Sequence, residues 1–305
     1  RLGDAKFGST RRGIAPVYGD KYMKKAIRMI DLLHPEDMKR RLKGIVDWKN
    51  LTITGVYGAE PVSYDGMCAW LTKYAERFGA FICDTGKYLD EAEKSGKKIM
   101  FEAQLGALRD IDFGIYPFTS SSSTISAYAP VGAGIPNHKL TNCIGIMKAY
   151  SSCVGEGPFT CEFFGEEAEE LRAAGGEYGA ATGRPRRVGP FDVPASKYGC
   201  RMQGADEIAL TKMDVLSYLE EIPVCAAYDV NGKITTDFPI GEDLDIAKPV
   251  IEKVKGWNCD ISGCRKPEDL PKEAMDYVRY IEKAVGCKVK YVSVGAARDE
   301  YVVLD

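Results

Sequence analysis

Apolar residues recur at helical spacing over 21–33 (Tyr22, Ala26, Ile30, Leu33), and the same period over 35–46 predicts a pair of helices. Lys39, Arg40, Arg41 and Lys43 mark a solvated basic face. A third amphipathic stretch covers 62–81, and 88–94 predicts a fourth helix stopped by Ser95 and Gly96. The period then changes. Residues 97–103 (KKIMFEA) and 143–154 (CIGIMKAYSSCV) predict buried strands, joined by a crossover rich in Gly, Ser and Pro that holds Thr119 to Thr124. Further helices are predicted at 166–174 and 193–202, a strand at 207–213, and a hairpin at 224–234 turning through Asn231 and Gly232. The clearest helix is 271–285, with Pro at its start and Gly286 at its end, before a strand over 288–294. This interleaving predicts an α/β fold: a large, mostly parallel central sheet flanked by helices, with a helical excursion near 21–81. No repeat or low-complexity linker breaks it, so residues 1–305 are expected to form a single α/β domain.

A chain of 305 residues with 45% hydrophobic and 28% charged content lies at globular averages, which excludes collagen-like, coiled-coil and wholly disordered classes. It contains no run of about 18 apolar residues able to span a bilayer, and charges break up its first thirty positions, unlike a secretory leader. The expectation is a soluble, cytoplasmic protein with no membrane partner. Forty-one Lys plus Arg against 44 Asp plus Glu give a net charge of −3 and a pI near 5.7. That balance lacks the basic excess of a general nucleic-acid binder, so any anion site must be local. Ten cysteines are too sparse for a disulfide-dense scaffold, and reduced thiols are expected. The closest pair, Cys259 and Cys264, has no second pair or nearby His to complete a zinc site. Neither His34 nor His138 stands in metal or triad spacing.

Three constellations could carry chemistry. The segment 179–189 (GAATGRPRRVG) places Arg184, Arg186 and Arg187 in a glycine-bounded loop with the Thr182 hydroxyl. Guanidinium forks bind carboxylates and phosphates bidentately, so the loop suits an anionic ligand, the alternative being a solvated basic loop. Thr211, Lys212, Met213 and Asp214 follow the apolar run 208–210, at a strand's carboxyl end where α/β folds place ligands. A carboxylate there can accept from guanine's N1 and exocyclic amine while a Lys stem crosses the base; a helix-capping Asp beside a surface Lys is the plainer alternative. Residues 8–13 (GSTRRG) have phosphate-loop glycine spacing, but Ile14 stands where the lysine belongs, so this is not a P-loop. Ser9 and Thr10 keep hydroxyls for a phosphate. The alternating Asp110 and Asp112 are expected to hold a turn, with no acid or base role.

Taken together, six ordered blocks resemble the adenylosuccinate synthetase family, GTP-dependent ligases that join L-aspartate to IMP: GSTRRGIAPVYGDK (8–21), FEAQLGALRDIDFGIYP (101–117), KAYSSCVGEGPF (148–159), the arginine loop (179–189), LTKMDVL (210–216) and SVGAARD (293–299). The resemblance implies a P-loop-ligase-like fold and formation of adenylosuccinate, GDP and phosphate, the first committed step from IMP to AMP in purine biosynthesis. It implies IMP contacts from Thr10, Lys24, Gln104, Ser120 and Arg184, aspartate contacts from Ala181, Thr182, Gly183, Arg184 and Arg186, and GTP contacts from Arg186, Lys212, Met213, Asp214, Ser293, Val294 and Gly295. It also implies a homodimer in which Lys24 reaches the neighbour's IMP phosphate, and Mg2+ as cofactor.

Several positions depart from the family pattern. Lys24 replaces an Arg and loses its fork. Leu105 fills a Gln position, so Gln104 serves only with a locally shifted loop; Ala181 lacks a Thr hydroxyl, Arg11 replaces Gly, and Phe113 replaces His. The family's Gly-rich phosphate loop, its magnesium-binding general-base Asp and its catalytic His have no counterpart here, so no catalytic or metal residue is assigned and the Mg2+ ligands are expected in an N-terminal segment. The sequence, opening at Arg1, is thus expected to be the C-terminal two-thirds of a longer enzyme and inactive alone. Two alternatives stand beside the ligase: a non-catalytic purine-nucleotide-binding paralogue, and a ligase acting on a different purine nucleotide.

Overall fold

A computed structural model of the chain describes residues 12–103, 105–179 and 183–305. By its internal contacts the chain groups into two compact units.

The first, residues 12–101 with 130–137, is helical. Helix α1 (Ile14–Tyr22) stops because Lys24 adopts a left-handed backbone, φ 59°, so the helix expected over 21–33 is interrupted and only a 3-10 turn, Met29–Leu33, follows. Asp31 in that turn accepts from the Arg28 backbone N–H at 2.7 Å and from the Arg41 guanidinium of α2 (Pro35–Gly55) at 2.6 Å. Met38, Leu42 and Val46 form the buried stripe of α2 at the spacing its sequence predicts. Helix α3 (Tyr64–Phe78) is N-capped by Ser63, whose Oγ accepts from Gly66 N–H at 3.1 Å, and α4 (Thr85–Lys94) by Asp84, which accepts from Lys87 N–H at 3.0 Å. The strand expected over 97–103 is not formed. No described strand runs beside it to pair its backbone groups, and the Lys97 N–H closes back on the Ala92 carbonyl at 3.0 Å. Helix α5 (Tyr128–Ala133) leads into this unit's second segment.

The other unit, residues 102–129 with 138–305, holds every described strand. These are β1 (Ile144–Lys148), β2 (Ser151–Cys153), β3 (Arg187–Gly189), β4 (Phe191–Asp192), β5 (Glu207–Thr211), β6 (Glu221–Val230), β7 (Lys233–Thr235), β8 (Lys248–Lys255), β9 (Lys288–Ser293) and β10 (Tyr301–Val303). Its helices are α6 (Gly165–Gly175), α7 (Val193–Gln203), α8 (Glu242–Ile246) and α9 (Lys272–Val285). One sheet runs β1-β5-β9-β10, parallel through its first three strands, with Lys148 opposite Thr211 and Leu210 opposite Val292. A second runs β4-β6-β7 with β8 also on β6, and Asn231 and Gly232, at φ 54° and 83°, make the expected β6–β7 hairpin turn.

The predicted strand 143–154 divides at Ala149, which is fully buried. Its N–H donates to the Thr211 carbonyl at 2.8 Å and its carbonyl accepts from the Tyr277 hydroxyl at 2.6 Å. The core is closed by α9, whose Ala274, Tyr277, Val278 and Ile281 lie on one face and share a cluster with Ile208, Leu210, Val289 and Val292. Each large side chain so buried contributes roughly 1.5–3 kcal/mol, which fixes the strand ends described next. Among the described residues, no helix is long and apolar enough to cross a membrane.

Candidate functional site

The parallel strands β1, β5 and β9 end side by side at Lys148, Thr211 and Ser293, at the edge where α/β sheets gather ligands. Past β5 the chain enters a left-handed conformation at Lys212, φ 64°, a strained state for a long side chain and one that clusters at functional sites. Met213, wholly buried, donates its N–H to the Ser293 carbonyl at 3.3 Å, while Val294, also wholly buried, donates to the Glu300 carbonyl at 3.0 Å. Asp214 opens a 3-10 turn, Asp214–Leu216, and one of its carboxylate oxygens is enclosed without any hydrogen-bond partner. Burial raises the Asp214 pKa, against backbone N–H groups and Lys212, which lower it. Ser293 Oγ donates to the Gly295 carbonyl at 2.9 Å, and a Cβ on Gly295 would displace the Glu300 carboxylate. Six of the seven residues expected to meet GTP, Lys212, Met213, Asp214, Ser293, Val294 and Gly295, thus gather at two neighbouring strand ends, while the seventh, Arg186, stands on the arginine loop.

The arginine loop delivers three guanidiniums to three different settings. Arg187 is committed to structure, bonding Glu162 at 2.8 Å and the carbonyls of Gly155 and Gly157 at 3.2 and 2.8 Å. Arg186 bonds the buried carboxylate of Glu177 at 2.9 Å, and its Nε is enclosed with no partner. Arg184 is exposed and meets Glu156 at 3.1 Å. Gly183 holds the turn at φ 63°, its N–H donating to the Gly179 carbonyl at 2.7 Å. Sequence reasoning passed over Glu177, Lys148 and Tyr150. Glu177 Oε1 accepts from Lys148 Nζ at 2.7 Å and from the Tyr150 hydroxyl at 2.5 Å, and Lys212 Nζ donates to the Gly175 carbonyl at 3.0 Å. Burial alone would raise the Glu177 pKa, but Lys148, Tyr150 and Arg186 together hold it below the usual glutamate value.

Ser120 belongs to a loop clamped by Arg109, another residue that the sequence left unremarked. The Ser120 N–H donates to the Arg109 carbonyl at 2.8 Å, and the Arg109 guanidinium bonds the carbonyls of Phe118 and, at 3.1 Å, Glu156. Glu156 in turn meets Arg184, so Ser120 and Arg184 sit on two loops joined through one guanidinium. Asp110 holds the turn expected of it, accepting from the N–H groups of Asp112, Phe113 and Thr124. Lys24 lies in the helical unit. Thr10, Gln104, Ala181 and Thr182 lie outside the described residues.

The one group of metal-ligating side chains among the described residues is Cys161, Asp192 and Cys225, all buried. The thiol of Cys161 donates to Asp192 at 3.2 Å, as does the Tyr228 hydroxyl at 2.6 Å, and the contact with Cys225, burial and Asp192 push the Cys161 pKa upward. Two sulfurs and one carboxylate do not suit a hard cation such as Mg2+, which takes oxygen ligands and retains water.

A family model described as adenylosuccinate synthetase matches residues 1–302. The adenylosuccinate synthetase of Citrifermentans bemidjiense is 42% identical over 305 residues, covering all of this chain and 71% of that protein. That of Leifsonia xyli subsp. xyli is 42% identical over 303 residues, 99% of this chain and 69% of that protein. The fully ligated adenylosuccinate synthetase from Plasmodium falciparum superposes with a TM-score of 0.92 at 32% identity, over all of this chain and 72% of that one. From the match along its whole length, the chain belongs to the adenylosuccinate synthetase family.

Proposed function

We propose that the chain works in purine biosynthesis as the GTP-dependent ligase of its family, joining L-aspartate to IMP and yielding adenylosuccinate, GDP and phosphate. The observation that carries the nucleotide assignment is the enclosed, unpartnered carboxylate oxygen of Asp214 at the carboxyl end of β5. An acceptor left unpaired in a buried place needs donors. Guanine supplies two, its N1–H and exocyclic amine, where adenine offers no such pair. Lys212 lies across the base, Met213 and Val294 support it through their buried side chains, and Ser293 and Gly295 bound its edge.

The γ-phosphoryl group passes to O6 of IMP, and the aspartate amine then displaces that phosphate at C6. Arg186 orients aspartate and GTP phosphate together, with Ala181, Thr182 and Gly183 completing the aspartate loop. Arg184, Ser120, Thr10 and Gln104 hold IMP, and Lys24 reaches the IMP phosphate of the neighbouring subunit. Electrostatic positioning of this kind provides most of the catalysis in phosphoryl transfer. Magnesium is the family's cofactor, and the buried Cys161, Asp192 and Cys225 do not suit it. A homodimer in the cytoplasm, with neither membrane nor nucleic acid as partner, completes the reading.

The test is nucleotide discrimination. Asp214→Asn puts an amide N–H against a guanine donor, costing on the order of 1–3 kcal/mol, or about ten- to a hundredfold in GTP affinity, with ATP little changed. In the wild type, GTP binding weakens as pH falls through the raised Asp214 pKa, because the ionised form accepts the two bonds; the variant loses that dependence. Calorimetric titration in which both nucleotides lose equally, or in which wild-type GTP affinity ignores pH, overturns the assignment.

A further inference from the structure

We propose that Glu177 is a positioning residue of the reaction, presenting Lys148 and Arg186 side by side, next to Lys212, to the anionic groups of the substrates. This rests on the ligase reading above and adds two residues to it. Glu177 is 1% exposed, and its two oxygens divide the work. Oε1 holds Lys148 Nζ at 2.7 Å and the Tyr150 hydroxyl at 2.5 Å, and Oε2 holds Arg186 Nη1 at 2.9 Å. The backbone repeats the link, since the Arg186 N–H donates to the Glu177 carbonyl at 2.9 Å. Lys148 also donates to Ser152 Oγ at 2.6 Å, and Lys212 reaches the Gly175 carbonyl, two residues before Glu177.

Stability alone does not account for this arrangement. A buried ion pair loses to solvation roughly what it gains from attraction, and an apolar replacement of equal volume is often as stable. Here one carboxylate answers both Lys148 and Arg186, with Lys212 bonded to the Gly175 carbonyl close by, so two cations share a single acceptor and keep donor capacity for a further anion. Arg186 keeps an enclosed Nε without an acceptor. An anion approaching this place meets a cationic surface whose geometry is already set, and that is how fixed groups lower the reorganisation needed for group transfer.

Lys148 is the sensitive member. Burial lowers its pKa, Arg186 and Lys212 lower it further, and Glu177 opposes all three. Neutralising Glu177 therefore makes Lys148 lose its proton at lower pH, and that change reaches a substrate KM only where Lys148 meets the substrate.

The experiment compares wild type, Glu177→Gln and Glu177→Asp, each in the complete enzyme that includes the family's phosphate-loop segment, measuring kcat, the KM of each substrate across pH, and thermal stability. Glu177→Gln is expected to raise the aspartate KM roughly tenfold or more and the GTP KM in the same direction. The IMP KM is expected to change less, by under about twofold. The alkaline limb of the aspartate KM profile moves to lower pH, and Glu177→Asp, which keeps the charge, restores most of that limb. If Glu177→Gln lowers the melting temperature yet leaves both KM values and the alkaline limb as in wild type, Glu177 is structural and the proposal falls. Should Glu177→Gln not fold, Lys148→Met takes its place, and unchanged aspartate and GTP KM values in it overturn the proposal equally. A wild-type enzyme that includes the family's phosphate-loop segment and is still inert towards GTP, IMP and aspartate overturns the ligase reading and the proposal together, an outcome distinct from an active wild type matched by its variants.

Discussion

Asp110 and Asp192 are both buried carboxylates, and their surroundings drive them in opposite directions. Burial raises Asp192, and bonds from Tyr228, the Ala195 N–H and Cys161 only partly offset it. Burial also acts upward on Asp110, but donors from Thr124, Asp112, Phe113 and Ser123 outweigh it and hold the pKa below the ordinary 3.8. A folded value below the unfolded one means that Asp110 contributes stability fully above about 3.8 and loses it as pH falls through the lower folded value. Asp110→Asn sets an amide N–H against these donors and is expected to cost on the order of 3 kcal/mol at neutral pH. Because wild type gives up the same interactions in acid, the gap between the two proteins should narrow as pH falls from the ordinary 3.8 through the lower folded value. Urea titrations at neutral pH and across that acid range check this; a gap of constant size would show that charge on Asp110 is not what holds the turn.

Helix α6 ends in two glycines with different duties. Gly176 is the left-handed cap, φ 60°, and has open space where a Cβ would stand, whereas a Cβ on Gly175 overlaps the Tyr150 hydroxyl that bonds Glu177. Gly176→Ala should therefore cost about 1 kcal/mol through backbone strain alone and leave substrate KM values unchanged. Gly175→Ala should cost about 1–3 kcal/mol and also raise the aspartate KM, by moving Tyr150 off Glu177. Equal aspartate KM values in the two variants would separate the helix end from the site. Helices α2, α3, α4, α6, α7 and α9 were legible because apolar period and breaker residues coincide in them. Strand β8 was not, because its sequence KPVIEKVK leaves Ile251 exposed and its place comes from backbone pairing with β6. Residues 97–103 misled for the converse reason: an apolar run found no partner. The arginine loop and Lys212–Asp214 were readable as local clusters. Glu177 was not, since Lys148 lies 29 positions away; its one local signal is a carboxylate wedged between glycines and Tyr178 in GGEYG.

The two compact units differ most in how much apolar surface they close. In the sheet-bearing unit, Ile208, Leu210, Val224, Ile281, Val289 and Val292 are all fully buried and belong to one cluster. In the helical unit, α2 buries three residues, while α3 and α4 bury none, and Trp70 and Tyr88 stay 53% and 62% exposed. Helices of ten to fifteen residues are marginal without packing, so α3 and α4 owe less of their stability to the rest of the chain than α9 does. Regions with few buried contacts open locally at a fraction of the global free energy. Native-state hydrogen exchange should then find the amides of β5, β9 and the middle of α9 protected up to the global limit, and those of α3 and α4 exchanging faster by about two orders of magnitude or more, the factor that a difference of about 3 kcal/mol gives. GTP binding at the strand ends should slow exchange around Met213 and Val294, whose N–H groups tie that crossing together, and leave α3 and α4 as they were. Protection of α3 and α4 equal to that of β5 would mean that the helical unit is stabilised by something other than its own buried side chains.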